Sequence, residues 1–290
     1  TNDLSTGVGA NCDATGDTYT SIEYVIGGVN NDQITGDTLG NTIDGAAGDD
    51  TMLGGAGADN IVGGSDRDSI DGGTENDTLD GGQANDTLIG GAGADSLLGG
   101  NANDSLDGGS ENDTLRGESG DDTLTGGAGQ NSLFGGAGED TFIAGAGADN
   151  YAGQADAATI DYSVVGAPVL VNLESGALGG GAAGDTITGI ENIIATAGND
   201  TLDGDTLSND IFGAGGNDTI DGSAGADTLD GGTGTDTVDY RDSTAIQITL
   251  EGGAGFGGEA QGDELSNINV VLGSGEGDRI VGASLGETLN

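Results

Sequence analysis

The sequence predicts an all-β fold in which short strands stack into a solenoid, and two observations lead to that prediction. From Gly27 to Ala152 the chain divides into fourteen nine-residue blocks without an insertion. The eighth residue of every block is apolar, and the sixth is Asp in twelve blocks and Asn in the other two. A fixed period with fixed chemistry at each position is typical of proteins in which each repeat is one structural unit stacked on the next.

The nine-residue pattern is clear in Gly54–Val62, which reads GGAGADNIV. Its general form is GGxGxDxUx, where U is bulky and apolar, and glycine combined with an acid in one loop is a calcium-loop signature. The pattern resembles the RTX (repeats-in-toxin) family of secreted proteins. That resemblance implies a parallel β-roll, which is a right-handed β-solenoid with two nonapeptides per turn.

Composition restricts the functions open to the chain. Its 290 residues include 64 glycines, 51 acidic residues, 4 basic ones and no histidine, so the net charge is −47. This charge excludes nucleic acid as a partner and requires cations in a compact state, with divalent metal as the natural candidate. The lone Cys12 and the lack of His leave no material for a zinc site or a His-based catalytic triad. No apolar run reaches the roughly 20 residues of a membrane span, and no signal peptide is visible.

Interruptions of the register divide the chain into six segments. The fifteenth block, Gly153–Asp161, keeps an apolar Ile160 but has lost the sixth-position Asp, so the metal ladder should end there. We predict the end of a spacer at 1–26, a long roll at 27–161, a spacer at 162–194, a short roll at 195–239, a spacer at 240–272 and the start of a further run at 273–290. The two 33-residue spacers resemble each other, and the N-terminal segment shares their Gly-Asp pair. The chain is expected to be a segment of a longer repetitive protein.

Strand geometry predicts which side chains form the core. Neighbouring side chains on a strand face opposite ways, so the eighth residues should form two facing apolar ladders while the ninth residues point outward. The ninth position is apolar at Leu53, Val62, Ile89, Leu98, Phe134 and Ile143. These side chains are either scattered surface aliphatics or patches that serve a partner or lateral packing.

The family resemblance also implies the metal ligands. In that family each calcium ion lies between equivalent loops of successive turns and is bridged by sixth-position Asp residues. The matching residues here are Asp32, Asp50, Asp59, Asp68, Asp77, Asp86, Asp95, Asp104, Asp113, Asp122, Asp140, Asp149, Asp200, Asp218, Asp227, Asp236 and Asp278. The alternative is that each Asp only caps a turn, but seventeen in phase with glycine favour metal binding.

Several blocks depart from the pattern. Asn41 and Asn131 replace Asp on one edge of the long roll and are expected to be weak points. Position four is Glu75, Ala84, Ala102 and Glu111 instead of Gly, where a positive φ is expected to be costly. Asn41, Asn209 and Glu287 each lie one block after a spacer block, which indicates a recurrent transition turn.

Metal binding and folding should be one event. Stacked carboxylates repel and glycine-rich loops lose much entropy on ordering, so the chain should be unfolded without calcium and folded at the roughly millimolar calcium found outside cells. Proteins that resemble this one generally leave Gram-negative cells unfolded by type I secretion, guided by a C-terminal signal. No such signal is identifiable here. We therefore expect a secreted, extracellular location.

Two functions remain open, and both are non-enzymatic. The favoured one is a calcium-binding structural segment of a large bacterial surface protein, such as an S-layer subunit, adhesin or matrix filament, because repeats and spacers fill the chain. The alternative is a secretion and folding module of an exported enzyme or toxin. Ice binding is disfavoured because the fifth and ninth positions are irregular, and catalysis because the calcium ladder accounts for the paired acids.

Partners other than calcium are less defined. Copies of the same chain in a lattice or filament, and a cell-surface polysaccharide, are both open. Tyr19, Tyr24, Tyr162 and Tyr240 lie in or beside spacers, where they are expected to cover the ends of the roll and not to act as sugar platforms. Cys12 is expected to be an unpaired thiol, with a disulfide between copies as the alternative.

Overall fold

A computed structural model describes residues 2–3, 8–9, 23–154, 156–250, 254–282 and 288–289. The chain forms two compact units, residues 1–156 and 157–290. The described residues are β-strands, turns and one short 3-10 helix, so the predicted all-β class is confirmed for them. The expectations for Cys12, Tyr19 and Glu287 lie outside the described residues. No helix in the described ranges is long and apolar enough to cross a bilayer.

The first unit contains short strands at the nine-residue spacing of the blocks. In chain order they are β1 (Asn2–Asp3), β2 (Val8–Gly9), β3 (Tyr24–Gly28), β4 (Gln33–Thr35), β5 (Thr42–Ala47), β6 (Thr51–Ala56), β7 (Asn60–Ser65), β8 (Ser69–Thr74), β9 (Thr78–Gln83), β10 (Thr87–Ala92), β11 (Ser96–Asn101), β12 (Ser105–Ser110), β13 (Thr114–Ser119), β14 (Thr123–Thr125), β15 (Ser132–Ala137), β16 (Thr141–Ile143) and β17 (Asn150–Gln154).

These strands form two parallel sheets. Even-numbered strands from β4 to β16 make the even sheet, which β1 and β2 extend, and odd-numbered strands from β3 to β17 make the odd sheet. From β3 to β17 each strand pairs with the strand 18 residues away, as Leu88 does with Ile70 and Leu106. Strand β1 instead pairs parallel with β4, 32 residues on, and antiparallel with β2. Two nonapeptides therefore make one turn of a β-solenoid, as the resemblance implied.

Eighth-position side chains form the core between the sheets. They are 0–1% exposed in all fourteen blocks, from Ile34 to Tyr151. Full burial of a Leu or Ile contributes roughly 1.5–3 kcal/mol, but only one such residue occurs per block. The strand pattern of burial also places the first glycine of the next block inward and the ninth residue outward, as in β9. The predicted inward and outward sides are confirmed.

The second unit combines repeat strands with the two spacers. Its strands are β18 (Thr159–Asp161), β19 (Val169–Asn172), β20 (Ala177–Gly180), β21 (Thr186–Thr188), β22 (Asn192–Ile194), β23 (Thr201–Asp203), β24 (Asp210–Phe212), β25 (Gly215–Gly216), β26 (Thr219–Asp221), β27 (Thr228–Asp230), β28 (Thr233–Gly234), β29 (Thr237–Asp239), β30 (Gln247–Thr249), β31 (Glu264–Ser266), β32 (Val270–Leu272), β33 (Arg279–Val281) and β34 (Thr288–Leu289), with a 3-10 helix at Gly258–Ala260.

Each spacer keeps the stack of the second unit continuous. Strand β18 pairs with β22, 33 residues on, and β29 pairs with β32 at the same separation. Each spacer also contributes a strand that pairs with a strand of the repeat run after it: β19 pairs with β23, and β30 pairs with β33. The sequence similarity of the spacers thus corresponds to equivalent strand pairing.

Spacer tyrosines are part of the core. Tyr162 and Tyr240 are 0% exposed, and their hydroxyls donate hydrogen bonds to Asp185 at 3.4 Å and Asp263 at 2.7 Å. Tyr24, by contrast, is 57% exposed. Burial removes Tyr162 and Tyr240 from any surface for sugars.

Candidate metal-binding loops

The sixth-position Asp links each loop to the loop one turn before it. The backbone N–H of Asp68 donates to Oδ1 of Asp86 at 2.7 Å, and the N–H of Asp86 donates to Oδ1 of Asp104 at 2.7 Å. The same bond holds, in order, Asp50, Asp59, Asp68, Asp77, Asp95, Asp113, Asp122, Asp140, Asp149, Asp218, Asp227 and Asp236 to the preceding turn. One carboxylate oxygen of each therefore has a structural role.

The second oxygen of most of these carboxylates is buried and accepts no hydrogen bond from the described residues. Oδ2 is in this state in Asp50, Asp59, Asp68, Asp77, Asp86, Asp95, Asp104, Asp113, Asp122, Asp140, Asp218, Asp227 and Asp236. An unpaired buried carboxylate oxygen is costly, and buried charges are normally paired or coordinate a metal. The loops thus present a regular row of oxygens that a cation or a proton would satisfy.

The first glycine of most blocks lies against this oxygen. A Cβ at Gly81 would lie 2.6 Å from Oδ2 of Asp86 and 2.7 Å from the carbonyl oxygen of Gly99. A carboxylate and a carbonyl oxygen thus border the same small space, and calcium prefers this mixture of ligands. Within the described ranges, no three His, Cys, Asp or Glu side chains form a metal-binding cluster. A cation in these loops would therefore depend on backbone carbonyls as well as on the carboxylates.

Glycine has different roles at different positions of the block. Positions two and four have positive φ, as Gly82 (104°) and Gly93 (140°) show. At the first position glycine is needed because a carboxylate oxygen and a backbone carbonyl lie too close to leave room for a Cβ. Glu75, Ala84 and Ala102, at position four, also adopt a φ of 72–75°. The expected strain is thus present, since this region disfavours residues with a Cβ.

Hydrogen bonds at position four act against that strain. Glu75 Oε2 accepts the N–H of Gly57 at 2.8 Å, one turn away, and this bond lowers the pKa of Glu75. Glu111 accepts the N–H of Gly93 at 2.9 Å in the same way. Glutamate at position four therefore ties successive turns together, an effect that the consensus pattern does not reveal.

Burial raises the pKa of the ladder carboxyls. Hydrogen bonds from the preceding turn act in the opposite direction, and neighbouring Asp residues add to the rise in several of them. The pKa is raised to about 7 in Asp68, Asp77, Asp104 and Asp227 and to about 6 in Asp86, Asp113, Asp140 and Asp218. Near neutral pH these carboxyls are therefore partly protonated, and protons compete with cations for their oxygens.

Four of the seventeen predicted residues differ from the others. Asp149 and Asp200 are buried, but Oδ2 of Asp149 accepts the hydroxyl of Tyr151 at 3.1 Å, and Asp200 accepts bonds from Val169 and Thr196. Asp32 and Asp278 are partly exposed. Bonds from Ile246 and Ser274 lower the pKa of Asp278. Asp32, Asp200 and Asp278 each lie in the first block after a predicted spacer, and Asp149 lies one block before the last block of the long roll.

Asparagine at position six takes two forms. Asn131 keeps the inter-turn bond, because its Oδ1 accepts the N–H of Asp113 at 2.9 Å, but its buried Nδ2 occupies the place of the second carboxylate oxygen. Asn41 and Asn209 instead accept the N–H of Asp37 and Asp205 in their own loops, both at 2.9 Å. The recurrent transition turn is therefore present in these two blocks.

Sequence reasoning missed three residues that continue the ladder from within the spacers. In the first spacer, Glu191 accepts the N–H of Ala158, the sixth residue of the fifteenth block, at 2.8 Å. Asp263 is 0% exposed and accepts the N–H of Asp227 at 3.1 Å, and Asn269 accepts the N–H of Asp236 at 2.7 Å. Both lie in the second spacer, outside the nine-residue register. The Gly-Asp pair at Gly262 was the available signal for Asp263.

Comparison with known families agrees with this geometry. The family described as RTX calcium-binding nonapeptide repeat (4 copies) matches overlapping stretches that cover residues 26–160 and 185–238. This chain belongs to that family. The matched stretches cover well over half of its 290 residues and include the loops with the unpaired Asp oxygens. A search of curated proteins matched none of them.

Proposed function

We propose that this chain is a calcium-binding structural segment of a secreted or cell-surface bacterial protein, one that folds and becomes rigid when it binds extracellular calcium. The observation that carries the proposal is the row of thirteen buried Asp oxygens that accept no hydrogen bond within the described ranges. The ligands would be the seventeen predicted Asp residues, most directly these thirteen, together with backbone carbonyls such as that of Gly99. The ion would supply the positive charge that the carboxylates require in a compact state.

Coupling between calcium and folding follows from the balance of forces in the loops. The core has one large side chain per block, while the described loops bury a column of carboxylates on each edge. Carboxylates in such a column repel one another, as Asp50 and Asp86 do on either side of Asp68. Binding free energy at sites that exist only in the folded chain becomes folding free energy. Low intracellular and high extracellular calcium would then confine folding to the outside of the cell.

A structural role is supported by the continuous stacking of the strands. The strands of the long roll stack without an insertion, and in the second unit the spacers preserve the strand pairing, so the segment is suited to spacing or covering. A surface-layer, adhesin or matrix-filament role would use such a segment. The secretion and folding module of an exported enzyme or toxin remains the alternative.

A calcium titration tests the proposal. We expect circular dichroism to change from disordered to β-sheet and the hydrodynamic radius to fall at roughly millimolar calcium, while the same concentration of magnesium has little effect because magnesium needs a small octahedral site. If calcium changes neither quantity, the proposal is wrong. Compaction to a species that remains monomeric at every chain concentration would favour the secretion-module alternative over a coat.

A further inference from the structure

Outward residues of the odd sheet form a row that neither the core nor the calcium loops explain. Strand pairing aligns the ninth residues of successive odd strands. The row reads Ile26, Asp44, Val62, Asp80, Leu98, Arg116, Phe134 and Ala152. From Ile26 to Phe134, apolar side chains occupy every second place, and a charged side chain separates each from the next. From Ile26 to Phe134 the row spans about 29 Å, at roughly 4.8 Å per strand.

Charges in this row are arranged symmetrically about Asp80. Asp44 lies two strands to one side of Asp80 and Arg116 two strands to the other side. Val62 and Leu98 are equally spaced around the same centre. Consider two copies that face each other and are related by a two-fold axis that runs along the strand direction at Asp80. Arg116 of each copy then lies opposite Asp44 of the other copy, which gives two opposite-charge pairs. The same rotation also places apolar residues opposite apolar residues throughout.

The even sheet does not have this property. Its outward row reads Thr35, Leu53, Asp71, Ile89, Asp107, Thr125 and Ile143. Asp71 and Asp107 are the charged members of this row, so no docking of the row on itself pairs opposite charges, and a two-fold axis at its centre, Ile89, places Asp71 opposite Asp107. Opposite charges favour docking and like charges suppress it. The two faces of the same unit thus provide a matched comparison.

We propose that the outer face of the odd sheet is an isologous interface, on which two copies of this chain dock antiparallel with Arg116 opposite Asp44 of the second copy. The interface rests on the proposed function, because the sheet exists only once the roll has folded. A C2 contact of this type uses one patch twice. Arg116 is one of only 4 basic residues among 51 acidic ones, and it stacks over Phe134 with its guanidinium carbon 4.4 Å from the ring centre.

Surface shape at one end of the row supports this partner. A depression beside Phe134 is lined by Arg116, Glu118, Gly136 and Gln154. The proposed rotation brings Ile26 of the second copy to Phe134. Ile26 is 53% exposed and therefore available to enter this depression.

The contact is expected to be weak. One row of side chains buries less than the roughly 800 Å² per partner of a standard interface. The two Asp80 carboxylates also meet at the axis and oppose docking. Association should therefore appear at high local concentration, as in a coat, and Asp80→Asn should strengthen it.

Charge exchange tests the interface on the full chain with Cys12→Ser in calcium. We expect reversible dimers in sedimentation equilibrium, and about tenfold or greater weakening for Arg116→Asp and for Asp44→Arg, because each variant makes two like-charge pairs. The double variant Asp44→Arg/Arg116→Asp has the net charge of the parent and should restore dimers. Arg67→Asp, which makes the same charge change on an edge loop, is the control.

The outcomes separate the two proposals. A calcium-folded chain that stays monomeric, or equal effects of Arg116→Asp and Arg67→Asp, overturns the interface and leaves calcium-dependent folding intact. Failure of circular dichroism to show calcium-dependent folding overturns both. Orientation is tested with Asp80→Cys and a short bis-maleimide, which should cross-link dimers efficiently, while Asp71→Cys on the even sheet should not. Equal cross-linking of the two variants overturns the two-fold arrangement.

Discussion

Replacing Asp86 by Asn separates the two roles of a ladder carboxylate. The amide oxygen can keep the bond from the N–H of Asp68, as Asn131 does with Asp113. What changes is the buried second oxygen, which becomes an amide nitrogen and can no longer bind a cation. The fold is conserved, and only the charge at that atom is lost.

The substitution should have opposite effects with and without calcium. Asp86 lies one strand from Asp68 and one from Asp104, and unit charges at about 4.8 Å repel by roughly 3 kcal/mol at an effective dielectric constant near 20. Partial protonation reduces this, because burial raises the pKa of Asp86 to about 6. Without calcium the variant should therefore gain about 1–3 kcal/mol of folding free energy. In calcium at 100 times its dissociation constant, each lost ion removes about 2.7 kcal/mol.

The assay is urea unfolding at a series of free calcium concentrations. The free energy of unfolding rises with the logarithm of calcium concentration by about 1.4 kcal/mol per decade for each ion bound only by the folded chain. Asp86→Asn should lower this slope by at least one ion. Asp71→Asn, which removes an acid from the outer face of the even sheet, should leave the slope unchanged. Equal slopes for parent and Asp86→Asn would refute the assignment of this oxygen to calcium.

Three further predictions concern the loops and the spacers. Gly81→Ala should destabilise the calcium-bound chain by roughly 2–4 kcal/mol, because the added Cβ would occupy the space between two oxygens. Thermal unfolding measures this loss. Gly166→Ala is the near-neutral control, because a Cβ at Gly166 would meet no atom within 4 Å. Tyr240→Phe should cost about 1–2 kcal/mol, because it removes the hydroxyl bonded to Asp263, whereas Tyr24→Phe should cost nothing measurable in the same urea titration. Calcium affinity should fall as pH decreases from 8 to 5, because the ladder carboxyls have a pKa raised to about 6 or 7 and must release protons to bind metal. Calorimetry in buffers of different ionisation enthalpy measures that release, and binding without proton release at pH 6 would contradict it.

The raised pKa values also determine how the stability of the calcium-free chain changes with pH. A carboxyl whose pKa is higher in the folded chain than in the unfolded one makes the folded state bind more protons between the two values. The stability that this contributes is complete below the unfolded pKa near 4 and disappears as pH rises through about 7. Without calcium, acidification from pH 7 to 5 should therefore favour the compact state.

The repetitive parts of the fold were predictable because one position carries one physical role. Burial of Leu88 and exposure of Ile89 follow from strand alternation alone, and the in-phase Asp residues identified the loops. The sequence could not show that one oxygen of Asp86 is used for the inter-turn bond while the other is unpaired. That division depends on backbone donors one turn away, and the nine-residue pattern contains no information about their direction.

The junctions were harder to predict for a different reason. Asp200 matches the pattern in sequence, yet bonds from Thr196 and Val169 occupy both of its oxygens, because the spacer supplies donors that a repeat would not. Asp263 continues the ladder from outside the register. At a junction the tertiary partner, and not the local motif, determines what an acid does.

The inter-turn hydrogen bonds donated at position six run in one direction along the stack, so they determine which changes of length the repeat can accept. From Asp32 to Asn131, the loop N–H at position six donates to a side chain 18 residues further along, so each of these turns is completed by the turn that follows it. Removing 18 residues presents the same acceptor to the same donor, whereas removing nine brings the loops of opposite edges together. Asp263 and Asn269 complete the last repeat loops before the second spacer from within that spacer. The chain can thus change length by whole turns, while spacer residues supply the next acceptor where the nine-residue register is interrupted, which makes the duplicated turn the natural unit by which such a protein grows.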